Sequence, residues 1–476
     1  MWPPFERARF ALNADMLTSV NAETARRGET WRRLVLRILV VGVLLLTVSQ
    51  PGTAGTDADP NPCVGTVEDR PDGTTLLTIQ GARDGEKTPA LLVSVAPDGS
   101  VIGVHNDTAL GRWWSYDIDP LADRRLLHAT TEPGITVVEV IDPGTGELLT
   151  VERIPSVLDA HDVDRLDQHE YVMVDKGPNR DRVLVYNMTT SRIVWQWRFD
   201  RAYPRTGGGD YGSSDWTHVN DVDVVDGGFL LSVRNFDQVI LLNRTTKRIE
   251  WRLGEDDKYS IMSYQHNPQH LLGPDGNPVV LIADSENDRV VEYERRDGDW
   301  VRTWALVGGG LDEPRDADRL PNGNTLVTDR FGHRVLEVTP TGRVVWEFYA
   351  PWQPYDAERY LLGDEPSGPT ATELGTTGSY TVRNSANFTA AEVETCSEFL
   401  TSRDHGGRLV PEAEIQRLGD RSSTINQANR TPMPTPSHSP NPAATGERDP
   451  WDRPVAFVVT TVLAGLAVGI VYWWRR

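Results

Sequence analysis

An all-β chain folded as a β-propeller, with six four-stranded blades, is the fold that this sequence predicts, and three observations predict it. Four stretches between residues 161 and 350 repeat one pattern about every 50 residues, the period of a propeller or a solenoid. Inside each unit, short alternating or β-branched runs are separated by Gly, Asn, Asp and Pro turns, with no helical period, so a unit reads as four antiparallel strands, one blade. Before residue 161 the repeat is blurred, but DGTTLLTIQG, LLVSVAPDGSVIGVHND, WWSYDIDP and TVVEVIDPGTGELLTVERI supply strands for two more blades.

Taken in order, residues 1–55 form a targeting or anchoring segment. Arg26, Arg27, Arg32, Arg33 and Arg37 precede an apolar run from Ile38 to Val48, which fits either the apolar region of a signal peptide or an uncleaved N-terminal anchor. Residues 56–420 hold the propeller; between Pro354 and Asp420 the period fades, and that part either caps one face or returns to complete a blade. Residues 421–450 are rich in Ser, Thr, Pro and Asn and read as an extended stalk. Within 451–476, the uncharged run Val455–Trp474 is long enough to cross a bilayer and ends in Tyr472, Trp473, Trp474, Arg475 and Arg476, an interface anchor. Arginines at both ends place both termini in the cytoplasm and the propeller on the extracytoplasmic side of the cell membrane.

Five sequons, at Asn106, Asn187, Asn243, Asn387 and Asn429, accord with an outside location and a glycoprotein. Cys63 and Cys396 flank the propeller; they either clasp its ends in a disulfide or stay free, and they are too few for a thiolate metal cluster. The formal charge of −21 keeps the surface soluble and argues against nucleic acid as a partner. GARDGEKT from Gly81 lacks the glycine–lysine spacing of a phosphate loop and no helix follows it. No cofactor is expected.

The repeat alignment carries a geometric step. In a blade the innermost strand comes first and the second runs back, so the start of one and the end of the other meet at one rim of the central channel. The first-strand openings put His161, Asn220, His266 and Arg315 at equivalent positions, with His218 on the same face as Asn220; the second-strand ends align Lys176, Arg234, Ser285 and Arg330. Imidazoles and cations thus gather about the axis of an acidic protein, as an anion site requires. The carboxylate pairs Asp162/Asp164 and Asp221/Asp223 share one strand face and read as pairing inside the propeller, so no metal is expected.

The run THVNDVDVV, LLSVRNFDQVILLN and IEWRLG, followed by QHNPQHL, resembles the PAPS-independent arylsulfotransferases over about residues 150–350. That resemblance implies a six-bladed propeller that moves a sulfuryl group from an aryl sulfate to a phenolic acceptor through a sulfohistidine, without a nucleotide donor. It implies that His266 is the nucleophile, that His161 is the acid/base, and that His218, Asn220 and Arg234 hold the sulfonate. Lys176 and Arg315 join them as substrate-binding residues on the repeat geometry alone. Two other classes stand beside this one: a non-catalytic surface propeller binding an anionic or glycan ligand, and a quinoprotein dehydrogenase. Trp195, Trp197, Trp251, Trp304 and Trp346, which the last class would use, are better explained by packing between blades, and vicinal cysteines are absent.

Overall fold

The computed structural model describes residues 61–418 apart from 84, 387 and 403–406. Six sheets are built on four strands each. From the axis outwards, blade 1 is Pro354–Arg359, Thr75–Ile79, Leu91–Val95 and Val101–Asn106. Blade 2 runs from Trp114–Pro120 to Leu148–Ile154, blade 3 from Val163–Arg165 to Arg192–Arg198, and blade 4 from Val219–Val225 to Ile249–Gly254. Blade 5 runs from His266–Leu272 to Asp299–Val307 and blade 6 from Pro314–Arg319 to Val344–Tyr349. Each inner strand packs against the next blade all the way round, Val163–Arg165 meeting the second strand of blade 2, and the ring closes where Pro314–Arg319 meets Pro354–Arg359.

The fading segment therefore completes a blade: the chain's late strand Pro354–Arg359 is the innermost strand of the sheet begun near its start. The same segment then adds Gly378–Thr381 in parallel to the outer edge of blade 5, while Val64–Val67 covers the outer edge of blade 6. Helix Ala390–Thr401 starts at a capping box between Thr389 and Glu392, and its Cys396 and Leu400 pack into the cluster shared by blades 6 and 1. Cys63 and Cys396 form a disulfide.

The apolar core is divided among the joints between blades. Val172, Val185 and Trp197 of blade 3 meet Val222, Phe229 and Leu231 of blade 4 in one cluster, and each of the other joints has its own. Trp195 Nε1 donates to Arg244 O at 3.1 Å and Trp304 Nε1 to Pro340 O at 2.8 Å, so the repeated tryptophans do bind one blade to the next. Asn187 and Asn243 accept backbone N–H groups of their own turns; Asn387 and Asn429 lie outside the described residues. So do the N-terminal signal or anchor segment, the stalk and the C-terminal span, and no helix among the described residues is long and apolar enough to cross a membrane.

Down the axis, the alternate residues of the inner strands turn carboxylates inward. Asp117, Asp119, Asp162, Asp221, Asp223, Asp316 and Asp356 are all buried, around a narrow cavity they share with Glu358, Asp364 and Glu365. Several tie blades together: Asp356 Oδ2 accepts the Ile118 N–H at 2.9 Å, Asp162 Oδ2 the Val222 N–H at 2.5 Å and Asp164 Oδ2 the Val224 N–H at 2.6 Å. Burial first, then the charge of Asp356, pushes Asp318 up to about 8, and burial alone pushes Asp356 up to about 7 against the backbone N–H groups that favour its carboxylate.

Two outcomes follow from this architecture. The disulfide closes a loop of 333 residues, so Cys63→Ala/Cys396→Ala is expected to lower stability by about 2–5 kcal/mol in denaturant titrations, with the β-sheet signal kept. The raised carboxylates bind protons more tightly in the folded than in the unfolded chain, so their contribution is full below about pH 4 and is lost as pH rises through 7 to 8. With no divalent cation added, the thermal midpoint is expected to fall between pH 5 and 8. Asp318→Asn, which keeps the acceptor for Gln269 Nε2, should flatten that slope; an unchanged slope would show that Asp318 does not titrate in this range.

Candidate functional site

Strict alternation would send adjacent residues of an inner strand to opposite faces. In four blades a register shift lets two neighbours face the axis together: at Ser115/Asp117, His266/Gln269, Pro314/Asp316 and, in blade 1, opposite Leu77/Ile79; blade 4 has the same shift at Val219/Asp221. In blades 1, 2 and 6 the carboxylate of the pair enters the shaft, and the residue before it, Tyr355, Tyr116 or Arg315, reaches a wider cavity at one mouth. In blade 5 His266 takes the same cavity position, with Asn267 below it. Backbone at two of these places is unusual for a non-glycine residue, with φ of 44° at His218 and 30° at Asn267.

The cavity holds about 410 Å³ and is lined by His161, His218 and His266, by Lys176, Arg234, Arg315 and Arg330, and by the carboxylates Asp159 and Asp215. Lys176, Arg234 and Arg330 come from the ends of second strands, as the repeat requires; the fourth member of that set, Ser285, stands behind His266. Trp114, Tyr116 and Tyr355 form an aromatic wall, with Tyr116 and Tyr355 ring centres 5.2 Å apart. Four cations against two carboxylates make this mouth positive, although the chain as a whole is acidic.

Hydrogen bonding assigns the His266 tautomer. Ser285 Oγ donates its one proton to Pro314 O at 2.7 Å, so toward His266 Nδ1, 2.8 Å away, it acts as an acceptor of Nδ1–H. The lone pair is then on Nε2, and Arg315 Nη1 lies against both ring nitrogens, 2.8 Å from Nδ1. Burial and the Arg315 charge hold the imidazole well below its usual pKa, so it is neutral at pH 7. His218 is oriented in the same manner, its Nδ1 paired with Asp215 Oδ1. His161 Nε2 lies 2.7 Å from Lys176 Nζ and its Nδ1 3.3 Å from the Tyr355 hydroxyl; burial first, then the Lys176 charge, brings it down to about 4.

Arg234 stacks 4.5 Å over Tyr264, and its Nε, like that of Arg315, is buried with no hydrogen-bond partner among the described residues. Burial and the nearby Arg330 charge both oppose the Arg315 proton, an expense that an anion placed between the guanidiniums removes. A tetrahedral oxyanion suits this set of donors.

Of the residues expected from sequence, His161, Lys176, His218, Arg234, His266 and Arg315 are brought together here. Asn220 is not: it is fully buried outside the cavity lining, and its Nδ2 donates to Gln265 O at 3.0 Å, so it braces the backbone ahead of His266 instead of meeting a ligand. In blade 4 it is His218, at a φ of 44°, that turns into the cavity in its place. Tyr116, Tyr355, Asp159 and Asp215 escaped the sequence reading. The two tyrosines had a signal, since YDID from Tyr116 and YDAE from Tyr355 are copies of the opening HDVD from His161.

The arylsulfotransferase (ASST) family model matches residues 136–276, which takes in His161, Lys176, His218, Arg234 and His266 and stops short of Arg315. No curated protein matches the sequence. Among solved structures, a protein of unknown function from Bacteroides caccae is 11% identical with a TM-score of 0.41, over 67% of this chain and 100% of that one. A functionally unknown protein from Desulfotomaculum acetoxidans DSM 771 is 12% identical with a TM-score of 0.39, over 63% and 98% of the two chains. A catalytically inactive virginiamycin B lyase from Staphylococcus aureus, with quinupristin, is 9% identical with a TM-score of 0.37, over 60% and 87%.

Proposed function

We propose that the chain is a membrane-tethered, extracytoplasmic sulfuryl transferase, which moves a sulfuryl group from an aryl sulfate ester to a phenolic acceptor through a sulfohistidine at His266. The observation that carries this reading is the His266 Nε2 lone pair, presented to a cavity with four cations and an aromatic wall. The match of residues 136–276 to the arylsulfotransferase family model supports the reaction class. The apolar run Val455–Trp474 supports the tether, and the Cys63–Cys396 disulfide supports an oxidising compartment.

In the first half-reaction Nε2 attacks sulfur; the N–S bond forms, the bond from sulfur to the aryl oxygen breaks, and the phenolate leaves. Arg315 shifts its donor from Nε2 to a sulfonate oxygen as the ester docks, and Arg234 and His218 hold the other oxygens as charge builds. The pair His161–Lys176, its members 2.7 Å apart, protonates the departing phenolate. In the second half the acceptor phenol gives its proton back to that pair and attacks sulfur, and His266 leaves. Trp114, Tyr116 and Tyr355 stack against the aryl ring in both halves.

The full chain, purified in detergent, is expected to release phenol from a chromogenic aryl sulfate, with sulfate appearing on an added phenol and no nucleotide present. His266→Ala should cut kcat by about 10³-fold or more, and Arg234→Ala by about 10²–10³-fold, with the thermal midpoint of each kept near wild type. Persistence of transfer in His266→Ala would move the nucleophile elsewhere. Absence of transfer with every aryl sulfate tried, alongside binding of sulfated ligands in the same cavity, would replace the enzyme with an anion-binding or glycan-binding propeller.

A further inference from the structure

Away from the axis, four side chains converge between blade 1 and blade 2. His105 is the last residue but one of the outer strand Val101–Asn106, Asp107 follows that strand, and His128 and Glu139 come from the second and third strands of blade 2. Asp107, His128 and Glu139 are fully buried and His105 is 5% exposed. One ligand-type atom from each lies within 4.8 Å of every other. His105 Nε2, both oxygens of Asp107, His128 Nδ1 and Glu139 Oε2 have no hydrogen-bond partner among the described residues. Orphaned polar atoms buried in one place are costly unless something absent from the chain satisfies them.

We propose that His105, Asp107, His128 and Glu139 bind a divalent transition-metal ion of the zinc class, which pins blade 1 to blade 2. The separations select a metal over ion pairs. His105 Nε2 is 3.6 Å from Asp107 Oδ1 and 3.6 Å from Glu139 Oε2; His128 Nδ1 is 3.5 Å from Glu139 Oε2. Charged hydrogen bonds would close to about 2.7–2.9 Å. Ligands at about 2.0–2.2 Å around a tetrahedral ion stand about 3.3–3.6 Å from one another.

The surroundings orient the ligands as metal sites require. Ser115 Oγ lies 2.9 Å from His128 Nε2, itself 3.4 Å from Asp107 Oδ2; with Nε2–H donated to that hydroxyl, Nδ1 keeps its lone pair toward the cluster. Arg112 Nε donates to Glu139 Oε1 at 2.8 Å, which occupies that oxygen and leaves Oε2 inward. Two carboxylates and two neutral imidazoles balance a divalent charge, and two nitrogens with two oxygens favour zinc or its neighbours over calcium. With four protein donors and no exposed position the ion is structural. Because the ligands stand at 105, 107, 128 and 139, in two different sheets, no short spacing in the sequence announces them.

The test uses the full chain without a histidine tag. Elemental analysis is expected to find about one zinc-class ion per chain; a strong chelator should lower the thermal midpoint, and Zn²⁺ alone should restore it. Co²⁺ added to the stripped protein should give the visible absorption of a tetrahedral site, a readout that holds even if a ligand variant fails to fold. His128→Ala should abolish the metal and the chelator response together. A metal-free protein whose midpoint ignores both chelator and Zn²⁺ overturns the proposal, as does a metal response that survives in His128→Ala or one produced by Ca²⁺ alone.

Discussion

The structure depends on side-chain carboxylates reaching across from one inner strand to the backbone of the next. Asp356 caps an N–H of blade 2, and Asp162 and Asp164 cap N–H groups of blade 4. Between blades 4 and 5 the tie is an amide, Asn220 to Gln265 O, and between 5 and 6 it is Gln269 Oε1 accepting the Arg319 N–H at 2.7 Å. An inner strand has no hydrogen-bonded partner on its axial side, so these acceptors serve groups that would otherwise be buried unsatisfied. Their residual cost is a shaft crowded with carboxyl groups, which stays folded by keeping many of them protonated.

That constraint also shapes the cavity. Because the carboxylates claim the axial face, an extra residue lets a second side chain face inward in blades 1, 2, 5 and 6, and the register shifts supply it. Acidic shaft and cationic mouth are thus adjacent products of one repeated opening. Carboxylates line the shaft, and guanidinium and ammonium groups gather at the mouth, from second-strand ends at Lys176, Arg234 and Arg330 and from an inner-strand opening at Arg315.

Much of this was legible from the repeat. Period, blade count, strand order and the convergence of His161, Lys176, His218, Arg234, His266 and Arg315 all follow from equivalence between copies, which survives into three dimensions because a closed ring has one axis. Asn220 was misplaced because equivalent positions need not point alike: its amide is taken by Gln265 O, and His218 fills the cavity from that blade. Tyr116 and Tyr355 were overlooked because their copies are degraded outside the opening itself. The return of Pro354–Arg359 to the first blade and the pairing of Cys63 with Cys396 were both open, since each joins chain ends whose proximity no local pattern encodes.

The clasp has a mechanical corollary. Tension applied to residues before 63 and after 396 passes from one flank to the other through a single covalent bridge, and the 333-residue interval between them is shunted out of the load path. Pulling on its ends therefore cannot unzip the wheel blade by blade, whatever shear the flanking segments experience.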